Sequence, residues 1–178
     1  MNYKIIFILL NISFMNAQNV LFDSKSSKNI DNWSVVDDRV MGGVSQGNFS
    51  INNEGFALFS GKVSTDYNGG FSSVRYNCKS VIVTNAKTIK IRLKGDGKYY
   101  QCRIKPNNSV SYSYIKPFKT SGEWETIVMK FSEMEASFRG RKLDIPNFNH
   151  ETITEMAFLI GNKVKENFEL QIEKIVIE

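Results

Sequence analysis

With one histidine and two cysteines, the chain lacks the side chains that several kinds of chemistry require. Two thiols and one imidazole cannot complete a closed four-ligand zinc site without borrowed carboxylates, so no structural zinc is expected. A serine or cysteine nucleophile needs a base, usually histidine. His150, in a polar stretch after Asn149, has no local partner for that role and reads as a surface histidine. Phosphate-cradling loops are missing as well. Gly55 to Val63 ends in Gly61-Lys62, but Val63 stands where a metal-binding hydroxyl is required. Gly95-Asp96-Gly97 has no third glycine and runs into a strand, so it fails the dinucleotide fingerprint. No block of like charge occurs; Lys94, Lys98, Arg103 and Lys105 are interleaved with acids and aromatics, which argues against nucleic acid as a partner. No acidic loop has the spacing of a calcium site, and no cofactor is implied.

A long apolar run is also lacking. Lys4 precedes Ile5 to Leu10, and the stretch continues through Ile12, Phe14 and Met15 to Ala17, interrupted by Asn11 and Ser13. That is shorter than the roughly 20 apolar residues of a membrane span and has the layout of a secretory signal. Residues 1–17 are therefore read as a removed signal peptide and 18–178 as the mature domain, with no integral membrane segment left. The expected location is the periplasm or the cell exterior. Removing Lys4 from a formal net charge of +5 leaves +4. An oxidising compartment permits Cys78 and Cys102 to pair, but each lies in an apolar-alternating segment where cysteine also serves as a small hydrophobe, so both states stay open.

What the chain has in abundance is short runs of β-branched and aromatic residues punctuated by Gly, Asn, Asp and Ser. This predicts strands over Phe56 to Val63, Phe71 to Tyr76, Thr88 to Leu93, Tyr99 to Ile104, Ser111 to Ile115, Glu125 to Lys130, Met156 to Ile160 and Phe168 to Ile177. An all-β sandwich in a single domain follows. Ile89, Ile91 and Leu93 alternate with Lys90, Arg92 and Lys94, so one face is buried and the other wet. Gly95-Asp96-Gly97 then suggests a hairpin return into Tyr100, Cys102 and Ile104. Between Phe131 and Asn149 periodicity fails, which suggests a helical turn at Ser132 to Glu135 and a long loop through Phe138 to Arg141.

Asp37-Asp38 is the obvious candidate for the paired carboxylates of glycoside cleavage. Adjacent strand residues face opposite sides of a sheet, however, and Asp readily bonds nearby backbone N–H groups, so a cap or turn role is favoured. Four Gly- and Asn-rich elements stand out: Asp37 to Ser45, Asn68 to Arg75, Gly95 to Gly97 with Tyr99-Tyr100, and Phe138 to Arg141. In this order, with Trp33 before the first and Trp124 opening a later strand, they resemble the complex I intermediate-associated protein 30 family from about Trp33 to Ile177. The resemblance implies a galactose-binding-domain-like jelly roll. It also implies a non-catalytic, chaperone-like role, since mitochondrial members assist assembly of NADH:ubiquinone oxidoreductase, although an export signal departs from that setting. Candidate binding residues are Asp38, Asn68, Arg75, Arg92, Asp96 and Arg139, grouped on one polar surface, with Arg75 and Arg92 weighted highest because strands present them rigidly. Structural ion pairs with Asp38 or Asp96 are the alternative for both arginines. Tyr99, Tyr112 and Tyr114 offer rings for sugar stacking, or simply pack. The expected partner is a protein client, with a saccharide as the alternative.

Overall fold

Alternating side chains that are apolar on one face only must be covered by a second layer, and this chain solves the problem by covering one sheet with another. The computed structural model describes residues 19–26 and 29–178, so the predicted signal at 1–17 lies outside the described residues. The strands are β1 (Asn19–Asp23), β2 (Trp33–Asp37), β3 (Gln46–Ile51), β4 (Ala57–Val63), β5 (Ser72–Ile82), β6 (Thr88–Lys94) and β7 (Tyr99–Lys105). They continue as β8 (Ser113–Lys119), β9 (Trp124–Lys130), β10 (Glu135–Phe138), β11 (Arg141–Lys142), β12 (Thr152–Ile160) and β13 (Glu166–Ile177). One sheet runs β3-β4-β13-β6-β9, with β1 also on β13. The other runs β11-β10-β8-β7-β12-β5-β2. Neighbours are antiparallel throughout. This is the predicted all-β jelly-roll sandwich, and it has a strand at each segment read from the sequence.

Between the sheets lie Ile89, Ile91 and Leu93 of β6, facing Tyr100, Cys102 and Ile104 of β7 and Met156, Phe158 and Ile160 of β12. Each aliphatic or phenyl side chain buried this fully contributes about 1.5–3 kcal/mol. On β13 the buried set changes from Phe168, Leu170 and Ile172 to Ile175 and Ile177. A register shift between Ile172 and Lys174 explains the change, because one extra residue moves the apolar series back onto the core face.

The predicted β6–β7 hairpin is corrected. Strand β6 pairs with β13 and β9 in one sheet, and β7 pairs with β12 and β8 in the other, so Gly95-Asp96-Gly97 is a corner between layers. The Asp96 carboxylate ties it down, accepting from the Lys98 N–H (3.3 Å), the Tyr100 hydroxyl (3.0 Å) and the Glu169 N–H on β13 (3.0 Å). A Cβ on Gly95 would overlap the Thr120 side chain, whose Oγ1 accepts from Gly97 N–H at 2.9 Å. Both strands alternate because each buries one face, though on opposite walls of the core.

The predicted long loop is also corrected. Phe138 pairs with Arg141 across a two-residue turn in which Arg139 (φ 49°) and Gly140 (φ 77°) both take left-handed geometry, closing a β10–β11 hairpin. The helical turn is a short 3-10 segment at Phe131–Glu133.

Candidate functional site

The two glycine-rich motifs meet at one carboxylate. Asp38 follows β2 and is fully buried. It accepts hydrogen bonds from the Ser45 hydroxyl (2.5 Å), Ser45 N–H (3.0 Å), Gly70 N–H (2.6 Å) and Phe71 N–H (3.3 Å). A Cβ on Gly43 or Gly69 would overlap this carboxyl group, so both loops need glycine to close around it. Burial pushes the Asp38 carboxyl up, but the Ser45 hydroxyl and then the amides of Gly70, Ser45 and Phe71 outweigh it and hold it below the usual carboxylate range. Asp37 turns elsewhere, accepting from the Ser72 hydroxyl (2.6 Å) and Gly47 N–H (3.1 Å). The adjacent acids therefore serve separate structural networks and do not converge on one point.

These loops hold apolar side chains outward. Val40 is 74% exposed, Met41 63% and Tyr67 75%, and Val44 beside them is exposed as well. Exposed Val164 joins from the β12–β13 loop, which is fastened to the same end by the Lys165–Asp66 ion pair (2.7 Å). Arg39, Lys62 and Lys163 are exposed there too.

A different surface forms on the outward face of the second sheet. Register aligns Ser34 (β2), Arg75 (β5), Ala157 (β12), Arg103 (β7) and Ile115 (β8) in one row. The neighbouring rows are Val36, Ser73, Leu159, Gln101 and Pro117 on one side, and Asn77, Glu155 and Lys105 on the other. Arg103 is half-buried, and its guanidinium donates to Gln101 Oε1 at 3.1 Å. Burial first, and then the positive charge of Arg75, lower the Arg103 pKa, while Glu155 partly offsets them. Arg75 and Lys105 both reach Glu155, at 3.9 and 4.0 Å. Among the described residues no carboxylate lies within salt-bridge distance of Arg103.

The six candidate residues do not share one surface. Arg75 lies on the outward face of the second sheet. Arg92 lies on the outer face of the opposite sheet, 3.8 Å from Glu173 and over the Trp124 ring. Asp38 and Asp96 are occupied structurally, Asn68 sits in an exposed 3-10 turn at Asp66–Asn68, and Arg139 caps the β10–β11 hairpin over Phe138. Neither strand arginine pairs with Asp38 or Asp96. Of the tyrosines, Tyr99 is exposed, whereas Tyr114 is buried with its hydroxyl 2.8 Å from His150 Nε2 and Tyr112 packs edge-on against it. His150 is thus a packed residue.

Arg103 was missed by sequence reasoning. Its alternation against Tyr100, Cys102 and Ile104 puts it on the wet face, but its proximity to Arg75 depends on strand order. Cys78 and Cys102 are free thiols, on β5 and β7 with β12 between them. Two strand spacings, about 9–10 Å, exceed disulfide reach. Burial pushes both thiols up to about 12, so neither is a ready nucleophile. Among the described residues no group of three or more His, Cys, Asp or Glu side chains forms a metal site.

Comparison with solved structures finds the same architecture in carbohydrate-binding modules. A family 11 module from Clostridium thermocellum, in complex with a β-1,3-1,4-mixed-linked tetrasaccharide, shares 16% identity over 90% of this chain and 94% of its own, with a TM-score of 0.67. The family 11 module of a cellulosomal cellulase of Clostridium thermocellum gives 16% identity, coverage of 90% and 93%, and a TM-score of 0.66. A variant family 29 module gives 10%, coverage of 90% and 91%, and 0.55. At such identities the likeness establishes the fold. The family model described as complex I intermediate-associated protein 30 matches residues 21–172, and the chain belongs to that family.

Proposed function

We propose that this protein is a non-catalytic binding module that docks a protein client on the loop end of its sandwich. The observation that carries this reading is that Val40, Met41 and Tyr67 are held in water by loops locked onto buried Asp38. Apolar side chains on a fixed backbone lose little freedom on contact, which favours binding. Exposed Arg39, Lys62 and Lys163 around them suit an apolar client segment flanked by acidic residues. Family membership supports an assembly-type role of this kind. The export pattern of Lys4 to Ala17 points to clients outside the cytoplasm. A photo-crosslinker at position 41 should capture client species that a crosslinker at Val128, exposed on the outer face of β9, does not. Tyr67→Asp should abolish that capture. Equal labelling from both positions would exclude the loop end as the docking surface.

A second reading, saccharide binding, is favoured by the outward face of the second sheet. Its rows offer Ser34, Asn77, Gln101 and two arginines to hydroxyl-rich ligands, with exposed Tyr99 at the end of β7. The solved structures that share the fold include a module bound to a tetrasaccharide.

A further inference from the structure

We infer that Arg75 and Arg103 act together as a carboxylate-recognition pair, and that the ligand of this face is a uronate-bearing oligosaccharide. This rests on the saccharide reading and narrows it to an acidic class.

The two arginines stand on β5 and β7 with Ala157 of β12 between them in register. Ala157 is only 3% exposed, yet it lies outside the core cluster formed by its neighbours Met156 and Phe158. It therefore faces outward between the two long side chains and is closed off from water there. A larger residue at 157 would push the side chains that flank it apart. The arginine Cα atoms are two strand spacings apart, about 9–10 Å, a gap that two guanidinium groups can close over one carboxylate.

Electrostatics point the same way. Arg103 is half-buried and bonded to the neutral Gln101 amide, and its nearest charged influences are Arg75, which repels it, and Glu155, which attracts it. Glu155 is already shared by Arg75 and Lys105 at the limit of ion-pair distance. Three cations thus face one acid, and a carboxylate bridging the two guanidinium groups would gain charge-assisted hydrogen bonds while relieving the repulsion between the arginines.

The identity of the ligand follows from what the face lacks. Strands β5, β7 and β12 are each paired on both sides, so their backbone groups are engaged in the ladder and offer nothing to a peptide main chain, which adds to sheets at open edges. What remains is side chains: the amides and hydroxyl of Gln101, Asn77 and Ser34 flank the pair, beside apolar Val36, Leu159, Ile115 and Pro117. Beyond Gln101 the Tyr99 ring is exposed, with the Lys119 ammonium 5.7 Å from its centroid. Hydroxyl partners, one ring surface and a central pair of arginines describe a chain of sugars that carries carboxylates.

The test is calorimetric and NMR titration of the mature protein with trimeric uronates of the galacturonate, glucuronate, mannuronate and guluronate series. Their counterparts with the carboxylates reduced to alcohols, and hexaglutamate, serve as comparison ligands. At least one uronate should bind with shifts confined to β5, β7 and β12, and the reduced counterpart should bind about tenfold to a hundredfold more weakly. Arg103→Gln should lose a similar factor. Ala157→Leu, which keeps both charges but pushes the two arginines apart, should also lose it while melting as a folded protein. Equal binding of a reduced trimer on the same strands would overturn the carboxylate assignment and leave the saccharide reading standing. Binding of no saccharide would overturn both, and hexaglutamate binding as tightly on these strands would overturn the sugar assignment.

Discussion

Gly70 donates its backbone N–H to the Asp38 carboxylate at 2.6 Å across 32 positions of sequence, so the two most distinctive motifs of the chain are halves of one buried knot. The carboxylate replaces its water shell with four donors, from Ser45, Gly70 and Phe71. That exchange stabilises the fold only while the group is ionised.

Acid should therefore weaken the protein at this point. The Asp38 pKa is lower folded than its reference of 3.8, so the folded state binds the proton less readily than the unfolded chain does. The resulting stabilisation is complete above about pH 5 and is lost as pH falls through 3.8 and then through the folded value. Asp38→Asn turns an amide donor toward the surrounding N–H groups and should cost about 2–4 kcal/mol at neutral pH. Urea denaturation from pH 7 to pH 2.5 checks both statements. The wild type should lose stability more steeply than the variant below pH 5, and parallel curves would contradict the knot.

Gly43 should depend on Asp38. Gly43→Ala places a methyl group in the carboxyl group and should destabilise by about 1–3 kcal/mol, as overpacking does. In an Asp38→Ala background the two closest obstructing atoms, at 2.3 Å, are gone and only the Cβ at 2.9 Å remains, so the same substitution should cost less. A double-mutant cycle by thermal or urea melting measures the coupling. Additive costs would mean that Gly43 is required for another reason.

Strands with strict alternation, such as Thr88–Lys94, were legible because burying one face leaves a period of two in the residues themselves. β3, Gln46–Ile51, was not: it carries Gly47 and Asn48 and pairs only with β4, so it needs few apolar residues. Sheet membership was hidden for a different reason. Asp96-Gly97 supplies the same positive φ whether the next strand returns beside β6 or crosses to the facing layer, and the deciding contacts, Thr120 and Glu169, are far along the chain. The proposed binding face was half legible. Alternation marks Arg75 and Arg103 as outward, but only the order β7-β12-β5, which joins strands distant in sequence, brings them to either side of Ala157.

Cys78 and Cys102 should resist both oxidation and alkylation in the native state. Their thiols are buried and pushed up to about 12, and β12 separates their strands. Maleimide or Ellman's reagent at pH 8 should label neither at an appreciable rate in the folded protein and both in denaturant. A protein that shows no reactive thiol even when unfolded without reductant would contain a disulfide, and β12 could not then lie between β5 and β7.

The loop tips should be separable from the fold. Met41 and Tyr67 are exposed and their side chains are absent from the buried core, so Met41→Asp and Tyr67→Asp should change stability by no more than about 0.5 kcal/mol. The Asp38 knot holds the backbone beneath them regardless of what the tips carry. Client binding should respond in the opposite way, because a carboxylate placed in an apolar contact must be desolvated without a partner, so capture should fall at least about tenfold. Val128→Asp, on the outer face of the other sheet, tests whether the effect belongs to the place or merely to added negative charge. Loss of capture in all three variants would indicate general electrostatics. Loss in the first two alone, with unchanged melting, would assign the contact to the loop end.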